Sequence, residues 1–283
     1  MSDFTEYSNK YAAVRMERDE AGILLVALHT DHGPLRFGSD HAHTHTVADA
    51  FMDIANDPFN RVVILTGTGD GFCIGAADGL AQAASEPMTW DYMYRNRRRL
   101  LQNLLEIEAP IISAINGPAL FHAEIPLLGD IILAADHAVF MDGHCINGSV
   151  PGDGAHIIWP YLIGPARAKY FLQMGQQLNS DDALRLGFVN EVLPLPDLLP
   201  RAWEIARMFA ARPTLGLRYT RVVINLELRR LLHEHLSHGL AVEGLNGIQL
   251  QGWRTPLGGL PPVWPTAEHL AASPTRPKYG PDR

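Results

Sequence analysis

The chain has 283 residues, a length that fits one large domain or a domain with a helical appendage. With 47% hydrophobic and 19% charged residues it has enough apolar material for a sizeable core. A formal net charge of −8 argues against nucleic acid as a partner. The one basic cluster, Arg95 and Arg97 to Arg99, is interleaved with a helical apolar pattern and reads as a solvated helix face. The two cysteines, Cys73 and Cys145, imply no disulfide framework and fit a reducing cytoplasm. No basic-apolar-small leader opens the chain, and no apolar run approaches ~20 residues, so neither secretion nor membrane spanning is expected.

Taken in order, Met1 to Lys10 is polar, and Ala13 to Thr30 holds two β-patterned runs around Asp19-Glu20-Ala21-Gly22, the pattern of a hairpin. His29 to His45 reads as a loop, and Val47 to Ala55 has helical spacing. Arg61 to Thr66 is a short continuous apolar run, as expected of a strand buried on both faces of a parallel sheet. Trp90 to Ile107 is the next helix, with Leu100, Leu101, Leu104 and Leu105 on its apolar side. Pro110 to Ile115 and Ile131 to Ala135 are further strands, with a short helix over His122 to Leu128 between them. Tyr161 to Met174 is helical, and Ser180 is placed to cap the helix that follows. A strand is expected within Gly187 to Val192. Leu198 to Gln251 is almost wholly helical with a break near Arg212-Pro213, and the last thirty residues are rich in Pro and Gly. Strands alternating with helices make an α/β core with a helical C-terminal region.

Several segments, in order, resemble the crotonase (enoyl-CoA hydratase/isomerase) superfamily. They are VVILTGTGDGFCIGAADGL (Val62 to Leu80), PIISAINGPAL (Pro110 to Leu120), DIILAADHAVF (Asp130 to Phe140), VPGDGA (Val150 to Ala155) and GFVNEVLP (Gly187 to Pro194). The resemblance covers roughly residues 13 to 250. It implies stacked ββα turns forming a spiral core over residues 1–195, a helical oligomerisation region over 196–255 and a tail over 256–283. It also implies a trimer or a dimer of trimers.

The departures carry the functional information. Where the family has Gly-Gly-Gly, with the middle glycine donating a backbone N–H to an oxyanion, this chain has Phe121-His122-Ala123. The two hydratase glutamates are replaced by Ile125 and His144. His122, His144, Asp153 and Glu243 together resemble a narrower branch, 6-oxocamphor hydrolase and related β-diketone hydrolases. That branch uses the fold without CoA to hydrolyse a carbon–carbon bond. Further agreement lies in YSNKY near the start, EIP after His122, VPGDGAH after His144 and the helix around Glu243. The branch has a Trp in the loop after the first hairpin; here Phe37 and a His-rich run stand there, and a phenyl ring offers no indole N–H.

Hydrolysis of a 1,3-diketone needs an activated water, one polarised carbonyl and a proton for the leaving enolate; it needs no metal or redox cofactor. His144 is the expected base, because an imidazole titrates near ~6.5. Asp153, nine residues on across a Gly/Pro turn, is expected to fold back and orient it. Either Asp153 or His144 then delivers the proton. His122 stands where the oxyanion donor is implied. Glu243 is a supporting or substrate-contacting carboxylate, from the same or a neighbouring subunit. Phe37, Trp90 and Phe121 are expected walls of an apolar pocket, His45 a residue at its border, and the Ala76 N–H a relic of the family's other oxyanion donor. His41, His43 and His45 alternate as metal ligands on a strand would, but the segment reads as a loop entering a helix, without a further ligand set. Two other readings remain: an acyl-CoA isomerase or thioester hydrolase with altered acid/base residues, and a non-catalytic scaffold. The scaffold reading requires His144 and Asp153 to lie out of hydrogen-bond reach of each other and no polar-lined pocket to exist.

Overall fold

A computed structural model describes residues 2–37, 42–76 and 87–250. A turn of helix, α1 (Phe4–Tyr7), precedes the hairpin β1 (Val14–Arg18) and β2 (Ile23–Leu28), then β3 (Leu35–Phe37) and α2 (Ala42–Asn56). Next come β4 (Val62–Thr66), β5 (Cys73–Ala76), α3 (Pro87–Glu106), β6 (Ile111–Ile115), α4 (Glu124–Leu127), β7 (Ile131–Ala135) and β8 (Val139–Phe140). The remainder is α5 (Ala155–Ile163), α6 (Pro165–Met174), β9 (Leu178–Asn179), α7 (Ser180–Leu186), β10 (Glu191–Leu193), α8 (Leu195–Ala210), α9 (Thr214–Ile224) and α10 (Leu226–Leu250).

Six strands form one sheet in the order β1-β2-β4-β6-β7-β10. Only the β1–β2 pair is antiparallel; the other neighbours run parallel, as crossover helices demand. A second layer of short strands pairs β3 with β5 and β8 with β9, and Ala119 bridges Cys73 to Phe140 between them. Successive turns of chain thus add one strand to each layer, which is a ββα spiral. All five residues of β4 and of β6 are buried, because the large sheet is covered on both faces. One face packs Ile23, Val62, Ile64, Ile112 and Leu133 on Leu198, Ala202 and Ile205 of α8. Leu198 and Ile205 each contribute roughly 1.5–3 kcal/mol there. The other face carries the main core, with Leu100, Leu101, Leu104 and Leu105 of α3.

The turns after β4 and β6 interlock. Asn116 accepts from the Gly67 N–H at 3.1 Å and donates to the Gly69 and Gly71 carbonyls at 2.9 and 3.1 Å. A Cβ at Gly117 would stand 2.1 Å from the Asp70 carbonyl, so the Gly-Thr-Gly-Asp-Gly run is a packed turn.

Most of the expected elements form, with instructive shifts. β3 lies inside the segment expected to be a loop, since three residues carry no pattern and only pairing with β5 makes them a strand. α2 begins at Ala42 instead of near Val47, so His45 sits on a helix, not a loop. His41 and the side chain of His43 lie outside the described residues. The helix expected from Tyr161 starts at Ala155 and breaks at Gly164, whose φ of +78° ends it before Pro165 opens the next. Asn179, not Ser180, caps α7 by accepting from the Asp182 N–H; the Ser180 hydroxyl donates to the Asp136 carbonyl instead. The long C-terminal pattern breaks at 211–213 as expected and again at Asn225, whose amide donates to Asp130, itself paired with Arg221. The tail expected over 256–283 lies outside the described residues. Among the described residues no helix is long and apolar enough to cross a membrane.

Candidate active site

Five segments converge on one buried cluster. His122 stands between the second-layer bridge at Ala119 and α4, with φ of +49°. That is the left-handed region a glycine adopts freely and a β-carbon resists, so the chain holds an imidazole in a glycine's conformation at some cost in strain. His144 opens a single 3₁₀ turn over Cys145–Asn147. Asp153 ends the Pro-Gly-Asp turn before α5, and Glu243 lies on α10. A Cβ at Gly152 would stand 2.2 Å from the Gly239 carbonyl and 2.8 Å from Cβ of Glu243. The two glycines therefore let α10 lie directly on the Asp153 turn, which delivers Glu243 one helical turn further on.

The expected convergence is present. His144 Nε2 lies 3.4 Å from Asp153 Oδ2 and 3.9 Å from Glu243 Oε1. His122 Nδ1 lies 3.6 Å from the same Asp153 oxygen. The orientation of His144 differs from expectation: Asp142, not Asp153, holds Nδ1 at 3.0 Å and also accepts from the His144 backbone N–H at 3.1 Å. Asp153 instead faces the reactive nitrogen. Its carboxylate is fully buried and neither oxygen accepts a hydrogen bond.

Three partners were not singled out from sequence. Glu124 Oε1 lies 2.5 Å from His122 Nδ1, with both side chains 2% exposed. Asp142 is the second. The third, Arg97, corrects the solvated-face reading: Arg95 and Arg99 are exposed, but Arg97 is buried, 2.5 Å from Glu243 and 3.7 Å from Asp153. The signal was in the spacing, because Arg97 shares a helix face with Trp90, Met93, Leu101 and Leu104. For the other two, a carboxylate two residues from each histidine was the only cue.

The charges perturb one another strongly. Burial disfavours a charged His144, yet Asp153 and Asp142 outweigh it and hold the imidazole well above its ordinary value. Burial likewise opposes the Asp153 charge, but His144, His122 and Arg97 keep it well below the carboxylate range. Burial pushes Glu243 up to about 7 despite Arg97. It also raises Glu124, with His122 opposing. His122, Glu124 and Asp153, and also His144, Asp153 and Glu243, bring ligand atoms within 4.8 Å of one another. The Arg97 guanidinium already supplies a cation against Asp153 and Glu243.

The expected pocket residues divide. Phe37 and Phe121 flank the His122 ring with centroids 4.7 and 4.4 Å away, both edge-on. Ala76, at the end of β5, is paired with Phe37 in register. Trp90 packs where a Cβ at Gly244 would meet its Nε1 at 2.1 Å, and Arg97 lies 5.5 Å over its ring. It is thus a support for Arg97 and α10. His45 pairs with Asp49 at 2.9 Å and stacks on Tyr92. A cleft of about 480 Å³ between Ile131 and the α8–α9 corner contains none of the cluster residues.

The enoyl-CoA hydratase/isomerase family model matches residues 38–241. The chain belongs to that family. Within it, the chain is 46% identical to a solved β-diketone hydrolase from the cyanobacterium Anabaena sp. PCC 7120, bound to (S)-3-oxocyclohexyl acetic acid. That match covers 87% of this chain and 98% of that one, with a TM-score of 0.84. The curated relatives act on CoA esters by name. A 1,2-epoxyphenylacetyl-CoA isomerase from Escherichia coli is 30% identical over 73% of this chain and 79% of its own length. A carnitinyl-CoA dehydratase from Salmonella arizonae is 33% identical over 57% of this chain, and the chain spans only 62% of that protein's length. The protein is accordingly a crotonase-family enzyme with an α/β spiral core and a helical C-terminal region.

Proposed function

We propose that this protein is a cofactor-independent hydrolase that cleaves the carbon–carbon bond of a cyclic or bicyclic 1,3-diketone to give a keto acid. The observation that carries the reading is the convergence of His122 and His144 on Asp153, within 3.4–3.6 Å. The keto acid bound to the Anabaena hydrolase supports it, since a keto acid is the class of product such a cleavage yields.

The chemistry would run as follows. His144 accepts a proton from water as the water oxygen bonds to one carbonyl carbon. The His122 ring donates to the oxyanion that forms. The bond between that carbon and the carbon flanked by the two carbonyls breaks, and its electron pair becomes the enolate of the second carbonyl. The proton taken from water passes to the enolate carbon. Water's oxygen and other hydrogen end in the new carboxyl group, which then ionises. At rest His144 is held protonated by Asp142 and Asp153, so it accepts a proton only after losing one. Activity is therefore expected to rise with pH. Glu243 Oε1 is engaged by Arg97, while Oε2 is buried with no hydrogen-bond partner among the described residues.

The CoA-linked names of the curated relatives favour a second reading, an acyl-CoA isomerase or thioester hydrolase. Against it, the His122 side chain and its aromatic neighbours fill the space that a glycine would leave for a thioester. Against the scaffold reading, His144 and Asp153 lie 3.4 Å apart. We also infer a trimer or dimer of trimers in the cytoplasm. An exposed apolar row on α9, Leu215, Tyr219 and Val223 at four-residue spacing, supports self-association. A screen of monocyclic and bicyclic 1,3-diketones, followed by loss of diketone absorbance, tests the main reading. No turnover of any diketone, together with measurable CoA-ester binding by calorimetry, would refute it.

A further inference from the structure

We propose that Glu124 is a positioning residue for this reaction: by bonding Nδ1 of His122 it keeps the opposite ring nitrogen, Nε2, a hydrogen-bond donor to the attacked carbonyl. The inference rests on the diketone-hydrolase reading of the site. The 2.5 Å contact between Nδ1 and Oε1 joins two side chains that are each 2% exposed. Phe37 and Phe121 hold the ring edge-on from two sides, and its backbone is fixed in a left-handed conformation. Among the described residues Nε2 has no hydrogen-bond partner.

The consequence follows from imidazole chemistry. While the His122–Glu124 pair holds two protons it has two forms. In one, an imidazolium faces a carboxylate, and both ring nitrogens carry hydrogen. In the other, a carboxylic acid donates to Nδ1, and the ring hydrogen sits on Nε2. Both present an N–H at Nε2. Only when the pair loses a proton does the remaining hydrogen settle on Nδ1, leaving a lone pair at Nε2 that repels an oxyanion. Burial favours the two-proton pair by raising Glu124, although His122 opposes that rise. Asp153, 3.6 Å from Nδ1, favours it too, and Arg97 opposes it. The remaining titratable groups that face the pair are Cys73 of β5, whose buried thiol stays neutral, and His144 across Asp153.

Nitrogen-15 imidazole spectra of the ligand-free full chain test this directly, with His122 assigned by the signal lost in His122→Gln. At pH 7 the wild type is expected to show hydrogen on Nε2. Glu124→Leu keeps roughly the bulk but offers Nδ1 no partner, whereas the Glu124→Gln amide can still donate to Nδ1 and leave the ring hydrogen on Nε2. The kcat of Glu124→Leu should fall about tenfold or more with KM within about threefold, and Glu124→Gln should recover part of the loss. A bare Nε2 in the wild-type spectra, or wild-type kcat in Glu124→Leu, overturns the proposal. If no diketone is turned over, the substrate reading fails, and the ligand-free spectra alone still decide the part played by Glu124.

Discussion

Replacing Arg97 by methionine removes the only arginine of the buried cluster, and the structure fixes how the cost should depend on pH. Arg97 stands against Glu243 at 2.5 Å and Asp153 at 3.7 Å. Breaking a buried pair by removing one partner costs about 3–5 kcal/mol, because the other charge is left uncompensated. Glu243 can relieve part of that by taking a proton. With its carboxyl already near 7, holding it neutral at pH 7 costs only about 0.4 kcal/mol. The loss at pH 7 should therefore lie at the low end, about 3 kcal/mol. The sign of the pH dependence follows. Glu243 is raised above its unfolded value of 4.5, so its ionisation already costs the folded state stability as pH rises. Without Arg97 the folded carboxyl titrates higher still, and the penalty should grow toward about 1.4 kcal/mol per pH unit above 7. Urea unfolding of wild type and Arg97→Met at pH 6, 7 and 8.5, at one protein concentration, measures it. A loss below about 1 kcal/mol, or one equal at pH 6 and pH 8.5, refutes the reasoning.

The remaining predictions concern activity and assembly. His144→Ala should lower kcat on diketone by about 10²–10⁴-fold, followed by absorbance, and full activity would remove His144 from the base role. Since Asp142 helps hold His144 protonated, Asp142→Asn should shift the acidic limb of the kcat/KM profile to lower pH, by about 1–2 units. An unmoved or raised limb would separate that limb from His144. Tyr219→Asp with Val223→Asp places charges in the exposed row of α9 and should dissociate the assembly, read as a mass near 31.2 kDa by analytical ultracentrifugation. An unchanged mass would put the subunit contact elsewhere.

The fold was legible where the signal is dense and local. Runs at Val62–Thr66 and Ile111–Ile115 that are almost wholly apolar announce strands buried on both faces, where each strand carries a single small polar residue, Thr66 or Ser113. Leu35–Phe37 was not legible, since its strand character comes entirely from pairing with Cys73–Ala76. In the site, His122 and His144 were visible as departures from a family pattern and Asp153 and Glu243 through the resemblance to a narrower branch, and the structure brings the four together. Their partners were hidden for different reasons. Arg97 sat in a run of arginines, whose composition suggested solvent, while its helix phase pointed inward. Glu124 and Asp142 are each two residues from a histidine, a spacing that in a sequence alone is as common as any other. His45, read from sequence as part of a loop, lies on α2 and contacts Asp49 and Tyr92.

The cluster as a whole explains why its members divide their labour. Four carboxylates, Glu124, Asp142, Asp153 and Glu243, face at most three positive charges, on Arg97, His122 and His144. A buried site resists excess charge, so burial works to push its carboxylates toward the neutral form. Asp153 is touched by all three cations and remains ionised; Glu243 and Glu124 are the ones pushed upward. Asp153 is therefore a fixed negative centre between the two imidazoles, with Glu243 and Glu124 pushed toward the neutral form beside it. In the proposed hydrolysis a proton must leave water and return to carbon, and titratable groups beside the reacting atoms suit that task. Filling the glycine's place with His122 exchanges access for a bulky acyl-CoA for a second titratable ring, and that exchange suits a compact diketone.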